Sequence, residues 1–392
     1  MSAKRSPAIP RKPSVLVTLG WYDPRFFEAI GRYAKLAGWH LSTRSMMEAA
    51  DPTGWQGDGM LVNDTEVPRL ARFVQAQVLK QPTVLFGANH SGIDGPCVEE
   101  DNVECGRLAA EHFLNRGYRN FAWISISRGK VERDRRAGFI ETLAAAGQQC
   151  TELKRDVARG AELDTWDNRR QWLKSGLRGL PKPLAAFALD DLLAVDVVEV
   201  CLDNGIRVPE DVAVMGAGNI EIACDCSPVS ISSIDLNFGE VAYRAAELLD
   251  GLMAGRSLPH QPIIVPIGGV ILRSSTDTIA VTHEGLVNAI EMIAKNFSHN
   301  IGVAEIAEAA GISRRALHYL FMKELRRSPA RHLLQVRLDH ARRMLRETDE
   351  KIGTIALDCG FTTNRNLHRC LVREKGMAPQ QWRESNRHFP SP

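Results

Sequence analysis

One pattern occurs twice near the end of this 392-residue chain, about 50 positions apart, and few folds accommodate it. The first copy runs Ile306-Ala307, Ala310-Gly311-Ile312-Ser313, Leu317-His318, Phe321, Lys323-Glu324 and Pro329. The second runs Ile355-Ala356, Cys359-Gly360-Phe361-Thr362, Leu367-His368, Leu371, Arg373-Glu374 and Pro379. Each copy reads as a short helix with one apolar face, a tight turn containing glycine, and a second helix with polar and basic residues outward. That is the pattern of a helix-turn-helix, whose second helix lies in the DNA major groove. Ser313 and Thr362 suit the N-caps of the second helices, and Gly311 and Gly360 suit the turns. Residues 329–346, with apolar side chains at helical spacing, form a spacer helix between the copies.

Charge supports this reading. The formal net charge is only +2, but residues 279–392 hold 18 Lys+Arg against 12 Asp+Glu, while the rest of the chain is acidic. A basic segment joined to an acidic one fits a DNA-binding module on a body that should not adhere to DNA. With 44% apolar and 24% charged residues, the composition is that of a globular protein, and no apolar run approaches a membrane span. The basic, proline-rich residues 1–12 lack the apolar core of a signal peptide and are expected to be disordered. The eight cysteines show neither zinc-site nor disulfide-scaffold spacing, so free thiols in a cytoplasmic protein are expected, with no metal and no cofactor.

From 13 to about 273, short apolar runs at 15–19, 59–62, 83–86, 121–126, 184–189 and 212–215 read as buried strands. Amphipathic stretches at 26–36, 103–116, 134–146, 192–204 and 239–251 read as the helices between them. Such alternation implies parallel sheets covered on both faces, with room for two lobes and a cleft. Ligands of open α/β sheets bind beyond the carboxyl ends of the strands. The domains are expected at 13–277 (α/β) and 278–392 (all-α).

On these residues, with Ser328-Pro329, Arg337-Leu338, Ala341, Leu345, Gly376 and Arg383, the tail resembles the AraC-type DNA-binding domain. The resemblance implies that the second helices face base edges through Arg314, Arg315 and His318 in the first copy. In the second copy the corresponding set is Asn364, Arg365, Asn366 and Arg369. Arg reads guanine and Asn reads adenine with paired hydrogen bonds, each worth about 1–3 kcal/mol of discrimination. Contacts to phosphate alone, which position without specifying, remain the other reading. Arg326 stands where the family usually has glycine, and Leu367 and Leu371 replace customary aromatics.

The α/β part carries Asp101-Asn102 before a helix, Arg135 ahead of Gly138-Phe139, and Asp190 at a strand end. It also carries residues 208–214 leading to Gly216 and Asn219. It resembles the sensor domain of LacI-type repressors and periplasmic sugar-binding proteins. That resemblance implies a two-lobed fold, a homodimer, and a small sugar effector, xylose or a related pentose, held by Tyr22, Asp23, Arg135, Asp190 and Asn219. Trp21 or Phe26 could stack on a sugar or belong to the core. Gly218 departs from the family, where a carboxylate is usual.

Three functions fit. The first is a sugar-controlled transcription regulator that binds paired half-sites on duplex DNA. The second is a constitutive DNA-binding regulator whose α/β part only dimerises. The third is an enzyme fused to an AraC-type tail, for which no catalytic motif is present, so no enzymatic activity is expected.

Overall fold

The computed structural model describes residues 11–386 apart from 22, 45–51, 64–67, 79, 89–92, 156–164, 257–260, 279, 281–282, 326 and 376. Tyr22, Arg326 and most of the segment 1–12 therefore lie outside the described residues. In chain order the first elements are β1 (Ser14–Leu19), α1 (Pro24–Ala37), β2 (His40–Ser42), β3 (Gly59–Asn63), α2 (Pro68–Gln77), β4 (Thr83–Phe86) and β5 (Cys97–Glu100). Next come α3 (Asn102–Asn115), β6 (Asn120–Ser125), α4 (Lys130–Ala145), β7 (Cys150–Lys154), α5 (Trp166–Arg178), β8 (Leu184–Ala188) and α6 (Asp191–Asp203). The α/β part ends with β9 (Val212–Ala217), α7 (Glu221–Asp225), β10 (Ser232–Asp235), α8 (Phe238–Met253), β11 (Ile263–Val265), β12 (Gly269–Ile271) and a 3-10 turn at Ser274–Thr276. The tail is helical: α9 (Glu284–Asn296), α10 (Val303–Ala309), α11 (Arg314–Leu325), α12 (Pro329–Glu347), α13 (Ile352–Asp358), α14 (Asn364–Lys375) and α15 (Pro379–Asn386).

The chain divides into two compact units. The first contains residues up to Asp101, Gly129–Val131 and Asn237–Val265. Its sheet has the order β11-β5-β4-β3-β1-β2, with every pairing parallel. The second holds Asn102–Arg128, Glu132–Leu236 and everything from Pro266 onward. Its sheet, β12-β10-β9-β8-β6-β7, is parallel except for β12, which runs against β10. The parallel α/β architecture followed by an all-helical tail is thus as the sequence implies.

Local chemistry explains the elements that carry the sites. β8 (LAAFA) is buried along its whole length, as a central parallel strand covered on both faces should be. α1 begins where Asp23 caps Arg25 N–H and Pro24 fixes the first turn. It ends at Gly38 in the left-handed region and buries Phe26, Ala29, Ile30 and Ala34. Trp123, Phe139 and Phe187 pack ring against ring within the second unit.

Candidate nucleic-acid interface and effector site

The tail folds as two helix-turn-helix modules, α10–α11 and α13–α14, each around its own core. Leu317, Leu320, Phe321 and Leu325 of α11 pack with Ile306, Ala307 and α9. Leu367 and Leu371 of α14 pack with Ile355, Ala356 and Phe361, filling the places the sequence marks as departures from aromatics. α12 serves both modules, with Leu333 in the first core and Leu338, Ala341 and Leu345 in the second. A helix of 19 residues spans about 28 Å, so it is a rigid rod between them. Arg337 of α12 donates to the carbonyls of Phe297 and His299, each at 2.8 Å, tying the end of α9 to that rod.

The caps correct the expected register. Ser313 accepts from Ala316 N–H at 3.1 Å and starts α11, as expected. In the second module the corresponding cap is Thr363, not Thr362: Thr363 Oγ1 accepts from Asn366 N–H at 3.2 Å, while Thr362 Oγ1 meets only the Asn366 side chain at 3.3 Å. The second turn is one residue longer, so α14 starts at Asn364. With that shift the exposure of 313–319 and 363–369 matches position by position. Arg314, Arg315, His318 and Tyr319 stand outward on α11, and Asn364, Arg365, His368 and Arg369 on α14. Asn366 is half-buried, and its Oδ1 accepts from Arg369 at 3.3 Å. Tyr319 and His368 join the exposed set that the sequence implies; aligning the two copies on their caps rather than their glycines pairs His318 with His368 and Tyr319 with Arg369.

The expected effector residues fall into two groups. In the first unit, Asp23 is buried, with Oδ1 accepting from Arg25 N–H and Nε, each at 2.9 Å, and Oδ2 from the guanidinium at 2.7 Å. Phe26 is core, while Trp21 is half-buried and packs edge-on against Phe26 and Phe238.

The second unit brings Arg135, Asp190 and Asn219 to the carboxyl edge of its sheet. Arg135 is buried there, donating to Asn102 Oδ1 at 2.7 Å and to the Leu189 carbonyl at 2.6 Å. Asp190 is half-buried and caps α6 by accepting from Leu193 N–H at 2.8 Å. Asn219 follows the neighbouring strand β9, in the left-handed region at φ 51°.

A residue the sequence reading passed over lies beneath them. Asp191 is fully buried, and burial raises its carboxyl to about 6. It nonetheless holds Ser233 Oγ–H at 2.6 Å and Ile220 N–H at 2.8 Å. Burial also raises the thiols of Cys150, Cys201 and Cys224 to about 12 and that of Cys359 to about 11, which favours the protonated form near neutral pH. Among the described residues no helix is long and apolar enough to cross a membrane.

Residues 110–276 match the periplasmic binding protein-like domain, and residues 306–385 match a helix-turn-helix domain. The chain is 25% identical over 372 residues to the xylose operon regulatory protein of Haemophilus influenzae, covering 92% of this chain and 95% of that protein. It is 25% identical over 379 residues to the xylose operon regulatory protein of Escherichia coli K12, covering 93% and 94%. The structure of a xylose-binding transcription activator superimposes with a TM-score of 0.59 at 24% identity, covering 97% of this chain and all of that one.

Proposed function

We propose that this chain, an AraC-type transcriptional regulator with a periplasmic-binding-protein-like sensor, binds paired half-sites on duplex DNA as a homodimer under the control of a small sugar. The observation that carries the DNA-binding half is the match between the outward faces of α11 and α14, each on a self-contained module. Arg314, Arg315 and His318, with Asn364, Arg365 and Arg369, are the proposed base-reading set, and Ser313 and Thr363 hold the helix starts. Arg119 of the sensor donates to the Lys323 and Glu324 carbonyls at the end of α11, at 2.7 and 2.5 Å, so the first reading helix is fastened to the sensor directly.

On the sensor side, Asp190 and Asn219 are the proposed effector contacts, with Arg135 bracing the strand end behind them. In the first unit Asp23 orders the start of α1 through Arg25. The xylose named for the relatives makes xylose or a related pentose the leading effector. Residues 13–277 are taken as the sensor and 278–392 as the DNA-binding domain of a cytoplasmic protein.

Selection of random duplexes by the full chain, with and without D-xylose, tests this reading. Two related half-sites and a sugar-dependent change in affinity are expected. Arg365→Ala should then relax preference at one base pair by about 1–3 kcal/mol. Absence of any enriched sequence would overturn the DNA-reading assignment, and a thermal-shift screen of pentoses, hexoses and polyols tests the sugar separately.

A further inference from the structure

The turn after β9 is built around an amide whose direction is fixed. Asn219 sits in the left-handed region, which Asn tolerates better than most residues, directly after Gly218 at φ 127°. Its N–H donates to Ser233 Oγ at 2.9 Å, Ser233 Oγ–H donates to Asp191 Oδ1 at 2.6 Å, and the next N–H, Ile220, donates to Asp191 Oδ2 at 2.8 Å. Asp191 and Ser233 are both fully buried. Room for that carboxylate exists because residue 216 is glycine; a Cβ there would overlap Asp191 Oδ1. The backbone of the turn therefore hangs on one buried carboxylate, through the Ile220 amide directly and the Asn219 amide by way of Ser233.

The side chain is held separately. Arg273 donates to Asp225 Oδ1 at 2.5 Å, to the Ile231 carbonyl at 3.1 Å and to Asn219 Oδ1 at 3.0 Å. A guanidinium has donors only, so the amide oxygen must face it and the amide NH2 must face away. No group among the described residues accepts from that NH2. Asn219 is half-buried at the carboxyl edge of the sheet, where α/β folds bind ligands.

We infer that Arg273 and Asp191 are positioning residues of the effector site, and that they make Asn219 a hydrogen-bond donor that selects a sugar presenting an acceptor oxygen. This inference rests on the sugar-effector reading above. With Gly218 contributing no carboxylate, this corner of the site supplies donors where the sugar-binding relatives usually supply an acceptor.

Calorimetric titration of the full chain with D-xylose, D-ribose, L-arabinose and D-glucose tests it. If the wild-type chain binds none of them, the sugar reading itself falls, and this is seen before any variant is compared. If one binds, Asn219→Asp keeps the shape, the left-handed turn and the Arg273 contact but removes the donors, and its Kd for that sugar should rise at least 10-fold with an unchanged or higher melting temperature. An equal or lower Kd overturns the donor assignment. Arg273→Met frees the amide to rotate and should raise Kd about 3- to 10-fold, whereas Arg273→Lys, which can still donate to Oδ1, should recover most of the loss. No effect of Arg273→Met, or no rescue by Arg273→Lys, overturns the positioning role.

Discussion

The two helix-turn-helix modules present matching outer faces but differ in what holds them. The first is gripped from outside: Arg119 takes the last carbonyls of α11, Asn115 accepts from Arg327, and Ala280 N–H donates to the Arg116 carbonyl at 2.9 Å. Behind that grip lies a buried histidine, His332, the third residue after Pro329. The second module has Trp382 at the same place after Pro379 and is tied instead through α12 and the Arg331–Glu374 ion pair at 2.7 Å. Its turn, though one residue longer, is also the more closely packed at its glycine. The contrast teaches that equivalent reading heads can have unequal supports, one coupled to the sensor and sensitive to protonation, the other held through α12 and one ion pair.

The turns give the largest test of that contrast. Gly311 and Gly360 both have positive φ, at 66° and 75°, but a Cβ at 311 meets open space while one at 360 overlaps the Phe297 carbonyl and crowds Arg337. Gly311→Ala should cost about 1–2 kcal/mol of left-handed strain. Gly360→Ala adds that strain to a backbone collision and should cost about 3 kcal/mol or more. Hydrogen exchange of α10–α11 and α13–α14 amides in each variant checks this. Equal costs would remove the claim that the second turn is the more closely packed one.

Arg119→Ala probes the grip. A charge-assisted hydrogen bond is worth about 1.5–3 kcal/mol, and here one guanidinium satisfies two helix-end carbonyls. The variant should lose most of its sugar-dependent change in operator affinity, read by fluorescence anisotropy with and without D-xylose, while Arg331→Ala, which cuts the tie from α12 to Glu374 of the second module, should leave that change in place. The same loss in both would mean that the modules are coupled to the sensor equally.

His332 gives the contrast a pH dependence. It is 3% exposed, its Nδ1 has no hydrogen-bond partner, and Phe321 packs edge-on against it. Burial, aided by the charges of Arg327 and Arg116, depresses its pKa to about 3. Because the folded value lies below the unfolded one, between about 6.5 and 3 the unfolded chain binds a proton that the folded chain does not. The associated stability is therefore present above pH 6.5 and lost as pH falls. From pH 7 to 5 the loss is about 2 kcal/mol. His332→Phe should abolish that part of the acid sensitivity of α11 and α12 amides and leave those of α14 unchanged. A pH response that survives in the variant would assign the sensitivity elsewhere.

How far the sequence reveals this differs between the parts. The long helices and central strands are legible because their apolar spacing is regular, as in α12 and β8. Several edge strands are not: β2, β11 and β12 have three residues each, and β7 (CTELK) is mostly exposed. β5 (CVEE) reads as polar yet is wholly buried, with Glu99 paired to Lys130. In the sensor, Asp190 and Asp191 are chemically indistinguishable in sequence. Only the fold, bringing Ile220 and Ser233 from far along the chain, makes one a half-buried cap and the other a buried anchor.

The same ambiguity between adjacent like residues supplies the smallest test. Thr362 and Thr363 are both exposed and both suited to capping, and aligning the two turns on their glycines favours Thr362. The hydrogen bonds favour Thr363, because a cap must reach the N–H three residues on, and Asn366 N–H points to Thr363 Oγ1. Thr363→Ala should therefore destabilise α14 by about 1 kcal/mol. Thr362→Ala, losing only a side-chain contact to Asn366 at the surface, should stay within about 0.5 kcal/mol of the parent. Helix-end amide exchange at 364–367 distinguishes them. Should Thr362→Ala prove the costlier change, the extra residue belongs inside the helix rather than the turn, and the matched outward faces of the two modules no longer align.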